Sequence, residues 1–161
     1  MFKKVWTFAA IITAAVFVLP LPVSVAGTIL TIDGKIASQT PVELSIQDVE
    51  ALGSETVVTK TPWHDSPTAF EGVPIADLID RLGATGETLS VMALNNYYSE
   101  IPVADLRKYG VILAYKQDGA YMPVSDKGPL FVVYPFDAHA ELHDEVFFAR
   151  SAWQVRSITV E

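Results

Sequence analysis

The sequence predicts a single α+β domain with a β-rich core. Three observations lead there. Short runs of strand-type composition are punctuated by short runs with helical apolar spacing. One of them, Leu130 to Tyr134, is continuously apolar and of strand length, as in a strand covered on both faces. The chain also holds no repeat, low-complexity tract or linker that would divide it.

The chain opens with what reads as a secretory signal over residues 1–26. Lys3 and Lys4 are followed by an apolar run from Val5 to Leu19 interrupted only by two threonines, then by Pro20 and Pro22. Ser24-Val25-Ala26 places small residues where a signal peptidase reads them, so cleavage after Ala26 and a periplasmic location are expected. The apolar run is about 15 residues, short of the ~20 that span a bilayer, so a stable membrane anchor is not expected. Without a cysteine, a lipoprotein anchor is excluded.

Residues 27–161 are then expected to form the domain, long enough to bury roughly two-thirds of the unfolded surface unaided. Loss of Lys3 and Lys4 takes the net charge from −8 to −10, which repels nucleic acid and anionic lipid. The complete lack of cysteine rules out thiol catalysis, a disulfide scaffold and thiolate metal sites.

Along the domain, Thr28 to Ile36 alternates apolar and polar residues around Asp33-Gly34, a pair suited to a tight hairpin. Ser45 is placed to cap a helix over Ile46 to Leu52 that stops at Gly53. Glu55 to Thr61 reads as a strand ending at Pro62. Pro74 suits the first turn of a helix from Ile75 to Leu82, whose Ile75, Leu78, Ile79 and Leu82 share one face, and Gly83 ends it. A strand over Thr88 to Leu94, a helix over Val103 to Tyr109, and a hairpin joining Val111–Lys116 to Tyr121–Met122 through Asp118-Gly119 follow. In the last strand, Trp153, Val155 and Ser157 fall on one face, and Gln154, Arg156 and Ile158 on the other.

Two stretches carry a family resemblance. The first is Val57-Val58-Thr59-Lys60-Thr61-Pro62-Trp63-His64-Asp65, followed by Phe70-Glu71-Gly72-Val73-Pro74-Ile75-Ala76-Asp77-Leu78-Ile79. The second runs from Asn95-Asn96-Tyr97-Tyr98-Ser99-Glu100-Ile101-Pro102 through Ile112-Leu113-Ala114-Tyr115 and Asp118-Gly119-Ala120-Tyr121-Met122 to Lys127-Gly128-Pro129-Leu130-Phe131-Val132-Val133-Tyr134-Pro135. In order and spacing these resemble the molybdopterin-binding domain of the sulfite oxidase superfamily, which implies a sulfite-oxidase-type fold. The family's enzymes hold molybdenum through a cysteine in the loop after the first strand. Here that loop reads Lys60-Thr61-Pro62-Trp63-His64, and Phe131 stands where the family's motif carries an arginine.

The Trp63 loop and the segment Arg150-Ser151-Ala152-Trp153-Gln154 are similar to a smaller group of exported pterin-binding proteins. Members of that group act as ligand-dependent partners of membrane enzymes that make or degrade cyclic di-GMP. The resemblance therefore implies a non-catalytic, periplasmic pterin-binding signalling protein whose partner is the periplasmic domain of a membrane diguanylate cyclase or phosphodiesterase. Its alternative is a molybdopterin-dependent oxidoreductase with an atypical ligand set; an accessory domain with a vestigial pocket is a third reading.

A pterin is a flat bicycle with a guanidine-like edge, so its pocket requires an aromatic face and paired hydrogen-bond acceptors. Trp63 offers the face, and His64 and Asp65 lie beside it, with Asp65 the expected acceptor. Asn95, Asn96 and Tyr97 follow a strand, where their amides either bond ring nitrogens or close a turn. Trp153 is either a second wall or core. Lys127 and Arg150 are cations that would meet a polar ligand tail or form surface salt bridges.

His139 and His143 would share a face only if helical, and Glu141 is misplaced for H-E-x-x-H, so a solvated acidic loop is expected there and no metal site. Neither G-x-S-x-G nor a glycine-rich phosphate loop is present.

Overall fold

Local sequence sets most of the element boundaries in the computed structural model, which describes residues 27–161; the expected leader over 1–26 lies outside them. The chain runs β1 (Leu30–Gly34), β2 (Val42–Leu44), α1 (Ile46–Ala51), β3 (Glu55–Thr59), β4 (Thr68–Pro74), α2 (Ile75–Arg81) and β5 (Thr88–Ala93). It continues through β6 (Tyr98–Pro102), α3 (Val103–Tyr109), β7 (Ile112–Gln117), β8 (Ala120–Tyr121), β9 (Phe131–Val133), α4 (Glu145–Arg150) and β10 (Val155–Val160). Among the described residues no helix is long and apolar enough to cross a membrane.

The strands make two mixed-length sheets. One has the order β2-β1-β10-β5-β6, antiparallel except where β1 and β10 run parallel. The other has β3-β4-β7-β8, with β9 also on β7. The main core lies between the sheets and the helices, around Leu30, Val73, Leu78, Val91, Leu113, Tyr134 and Ile158. A second, smaller core covers the opposite face of the second sheet: Phe70, Ile112, Ala114, Met122, Phe131 and Val133, with Val57, Trp63 and Trp153 packed on it.

The period-2 alternation of a strand explains both cores at once. In β9 and its flanks, Leu130, Val132 and Tyr134 enter the main core, while Phe131 and Val133 enter the second. The apolar run is thus covered on both faces, as its composition predicts. β7 divides likewise, sending Leu113 and Tyr115 one way and Ile112 and Ala114 the other.

Several local expectations hold. Ser45 caps α1 in a reciprocal arrangement, its hydroxyl accepting from the Asp48 N–H while Asp48 accepts from the Ser45 N–H. Asp118 and Gly119 both take positive φ in the β7–β8 hairpin.

Others are corrected. Asp33-Gly34 does not turn a tight hairpin; Gly34 ends β1 at φ 87°, and the chain returns to β2 only at Val42. A Cβ on Gly34 would collide with the Val160 carbonyl, so the glycine serves the parallel contact with β10 instead. In β10 a bulge between Val155 and Ser157 resets the alternation, so Val155 and Ile158, expected on opposite faces, are buried in the same core. Strands β4 and β6 and helix α4 had no signal strong enough to be read. β4 carries Glu71 and Gly72 at a bulge, β6 is an edge strand with Tyr98 and Glu100 exposed, and α4 hides behind the acidic stretch whose Asp144 is its N-cap. His139 and His143 flank the 3₁₀ turn Ala140–Leu142, with His139 also closing a first turn at Phe136–Ala138, and do not share one helix face. They pack instead against Tyr109 and Phe136, at 5.2 and 6.1 Å between ring centroids.

Candidate ligand pocket

Three segments meet above the second core. The first is the loop after β3, fixed at its base by Asp137, which accepts from the Lys60 N–H at 2.7 Å while its own N–H donates to Thr59 Oγ1 at 3.0 Å. The loop then closes a turn, His64 N–H to Thr61 carbonyl at 3.1 Å, and Thr61 Oγ1 accepts from the Trp63 N–H at 3.2 Å. That turn leaves the Trp63 side chain half-buried over Phe131.

The second segment follows α4. Val132 N–H donates to the Ala152 carbonyl at 2.9 Å, Gln154 N–H to Lys127 at 3.0 Å, and Val155 N–H to Leu130 at 3.0 Å. These bonds stitch Trp153 to β9, where it also forms an isolated bridge with Phe131. The third is the β5–β6 turn: Asn95 Oδ1 accepts from the Tyr97 N–H at 2.9 Å, and the Tyr97 hydroxyl donates to the Ala149 carbonyl at 2.8 Å. That last bond ties the turn to α4 across the pocket mouth.

Between them is a cavity of about 270 Å³ lined by Trp63, Asn95, Tyr97, Phe148, Ala149, Ser151, Ala152 and Trp153. The indoles of Trp63 and Trp153 are 4.9 Å apart with planes at 77°. They form a corner, not a clamp: a flat ligand stacks on one face and meets the other with its edge. Phe131 lies beneath both, at 6.0 and 6.4 Å.

The lining is uncharged. Its polar groups are the Asn95 amide, the Tyr97 and Ser151 hydroxyls, the Ala149 carbonyl and the two indole N–H groups. The Ser151 hydroxyl donates to the Phe147 carbonyl at 2.9 Å, which leaves its oxygen as an acceptor. Such a site favours a flat, neutral heterocycle smaller than a drug-sized ligand, whose pockets run roughly 300–1,000 Å³.

Of the residues singled out in the sequence, Trp63, Asn95, Tyr97 and Trp153 come together here. Trp153 is therefore a wall and not core alone. His64 lies behind the loop, its ring 5.3 Å from Phe70 and its Nδ1 2.6 Å from Thr61 Oγ1. Asp65 is exposed and outside the lining, so the acceptor expected of it is not supplied to the cavity. Asn96 takes φ 66° in the turn and its amide oxygen accepts from Arg156 at 3.3 Å; it closes the turn and does not line the cavity.

Both candidate cations are engaged elsewhere. Lys127 pairs with Asp126 at 3.2 Å, and Arg150 with Asp105 at 2.8 Å. Sequence reasoning missed Phe148 and Ser151, which enter through the unrecognised helix α4 and its end.

The sequence model of the oxidoreductase molybdopterin binding domain matches residues 19–140. The fold is similar to that in the crystal structure of the sulfane dehydrogenase SoxCD from Paracoccus pantotrophus. The likeness has a TM-score of 0.62 and 14% identity, over 87% of this chain and 39% of that one. This chain thus spans well under half of that one, and at such identity the likeness is of fold. No curated protein matches the chain. The Trp153 wall and α4 lie beyond the residues the family model matches.

Proposed function

We propose, from the premise that the chain belongs to the oxidoreductase molybdopterin-binding domain family and has the sulfite-oxidase-type fold, that its aromatic pocket holds a pterin non-covalently and without catalysis. The observation that carries the reading is the Trp63–Trp153 corner with its uncharged lining, in a chain that has no cysteine.

Molybdopterin, the group the family name implies, fits these residues only in part. Its bicyclic head matches the aromatic corner. Its phosphate would require cations, and among the described residues no lysine, arginine or histidine lines the cavity. A molybdenum centre would require the thiolate that this sequence does not encode, and among the described residues no three His, Asp or Glu side chains are grouped to replace it. The donor set therefore disagrees with a loaded molybdopterin.

A neutral pterin gains what the site offers. Stacking on either indole buries its face. Ser151 Oγ and the Ala149 carbonyl accept from its N–H edge, and the Asn95 amide donates to its ring nitrogens or carbonyl. Binding would also load the β5–β6 turn and α4, which meet at the Tyr97–Ala149 bond and carry exposed side chains such as Leu94 and Val146. We place the protein in the periplasm, where the pterin-bound form is recognised by the periplasmic domain of a membrane diguanylate cyclase or phosphodiesterase. Such recognition requires the partner to bind the two states with different affinity.

The test is a titration with a tetrahydropterin under anaerobic conditions, followed by tryptophan fluorescence in a Trp6→Phe background, so that both remaining tryptophans line the pocket. Saturable quenching is expected, weakened roughly tenfold in Trp63→Ala. Absence of saturable quenching overturns the pterin reading; pterin-independent capture of the cyclase or phosphodiesterase domain overturns the signalling role.

A further inference from the structure

His64 is placed where it cannot touch a ligand in the Trp63–Trp153 corner, yet it holds one wall of it. Thr61 is 4% exposed, and its hydroxyl oxygen already accepts from the Trp63 N–H. The same hydroxyl shares a hydrogen bond with His64 Nδ1 at 2.6 Å, in which either group can be the donor. With the hydroxyl as donor, Nδ1 is the unprotonated nitrogen. The proton of the neutral ring then sits on Nε2, on the side of Gln117, whose buried Oε1 has no hydrogen-bond partner at ordinary geometry among the described residues. The Trp63 N–H, Thr61 and His64 thus form one hydrogen-bonded chain ending on the imidazole.

We propose that His64 is a positioning residue for the Trp63 wall, and that only its neutral form keeps the pocket competent to bind. The proposal rests on the pterin-binding reading of that pocket and adds its regulation. Protonation places a second proton on Nδ1. With the Thr61 hydroxyl as donor in the neutral state, the His64–Thr61 bond must then reverse, and the hydroxyl proton of the buried Thr61 loses the acceptor it had.

The surroundings resist that charge on balance. Burial beside Phe70 of β4 disfavours it first, and the ammonium of Lys127 next. The Gln117 side chain of β7 and the carboxylates of Asp126 and Asp118 favour it to a lesser degree, and the net effect holds the imidazole below its ordinary range. Lys127 also supplies the carbonyl that receives the Gln154 N–H beside Trp153. Repulsion between His64 and Lys127 therefore bears on both walls.

Two measurements test this on the full chain carrying Trp6→Phe. Without ligand, the Trp63 indole N–H resonance should follow the titration of the His64 ring, and should lose that pH dependence in His64→Asn, which keeps an uncharged acceptor. Constant Trp63 signals across the His64 titration overturn the inference, whatever the ligand. With a tetrahydropterin, affinity should hold through the ordinary imidazole range in the parent and fall only at lower pH, together with the His64 ring titration, and it should stay flat in His64→Asn, while His64→Leu binds weakly at every pH. An equal fall in His64→Asn assigns the effect to the pterin's own titration and overturns the inference. No binding at any pH overturns the pterin reading, and the ligand-free resonances then still decide whether His64 positions Trp63.

Discussion

Replacing Phe131 by Leu probes the second core and the pocket together. The side chain is wholly buried and touches three other rings edge-on: Phe70 at 5.7 Å, Trp63 at 6.0 Å and Trp153 at 6.4 Å. Each such pair contributes about 0.5–1.5 kcal/mol beyond the area it buries. The three share one ring and partly relax together, so their sum overstates the loss. Leucine refills most of the volume, and volume-conserving swaps cost less than about 1.5 kcal/mol by themselves. The expected destabilisation is therefore about 2–3 kcal/mol, a large share of a domain stability of about 5–15 kcal/mol.

Urea unfolding monitored by tryptophan fluorescence reads this directly: the midpoint should fall at unchanged slope. The near-ultraviolet circular dichroism of the Trp63–Trp153 pair, 4.9 Å apart, should weaken in the folded variant because the floor holding both indoles is gone. A loss under about 0.5 kcal/mol with an unchanged spectrum would refute the claim that Phe131 fixes the walls.

Gly34→Ala should cost about 2 kcal/mol or more, since it combines a positive φ of 87° with a collision against Val160; thermal unfolding checks it, and a neutral result would mean that β10 can move aside. Asp105→Ala should cost about 2 kcal/mol in chemical denaturation, because it strands the partly exposed Arg150 and the hydroxyl of the wholly buried Tyr134, both bonded to Asp105. Burial, and then the Asp105 charge, hold the Tyr134 phenol far above its ordinary range. Its raised pKa means the contribution to stability is complete below about pH 10 and is lost as the pH rises beyond it, so tyrosinate absorbance should show Tyr134 ionising only with unfolding.

How much of this was legible in the sequence depended on whether a signal was local. The Ser45 cap, the Asp118-Gly119 turn and the helical spacing over Ile75–Leu82 are decided within a few residues, and they formed as read. The β10 bulge was not legible, because it is imposed by pairing with β5 and leaves no composition mark. Strand β6 was hidden by lying at a sheet edge with its polar face to water. At the site, Trp63 and Trp153 were visible as aromatics in suggestive loops, but their 4.9 Å contact joins positions ninety residues apart and belongs to the tertiary fold alone. Asp65 misled for the same reason: adjacency in sequence to Trp63 says nothing about side-chain direction after a turn, and the turn sends it to solvent.

The absent thiolate and the aromatic floor have a common physical consequence. The resemblance sets Phe131 where the family's motif has an arginine, and the structure packs that ring against the Trp63 and Trp153 indoles that line the cavity, with Phe70 behind it. An anion held over such a floor would be desolvated without a partner, at a cost of several kcal/mol. A flat uncharged ring placed there loses little hydration and gains stacking. Phe131→Arg separates the two cases. If the floor is there to exclude charge, the arginine is buried unpaired and the domain is destabilised by about 3 kcal/mol or more, with no gain in phosphate or molybdopterin binding. A stable variant that captured a phosphorylated pterin would show instead that one substitution restores an anion site, and that the pocket's neutrality is incidental to its fold.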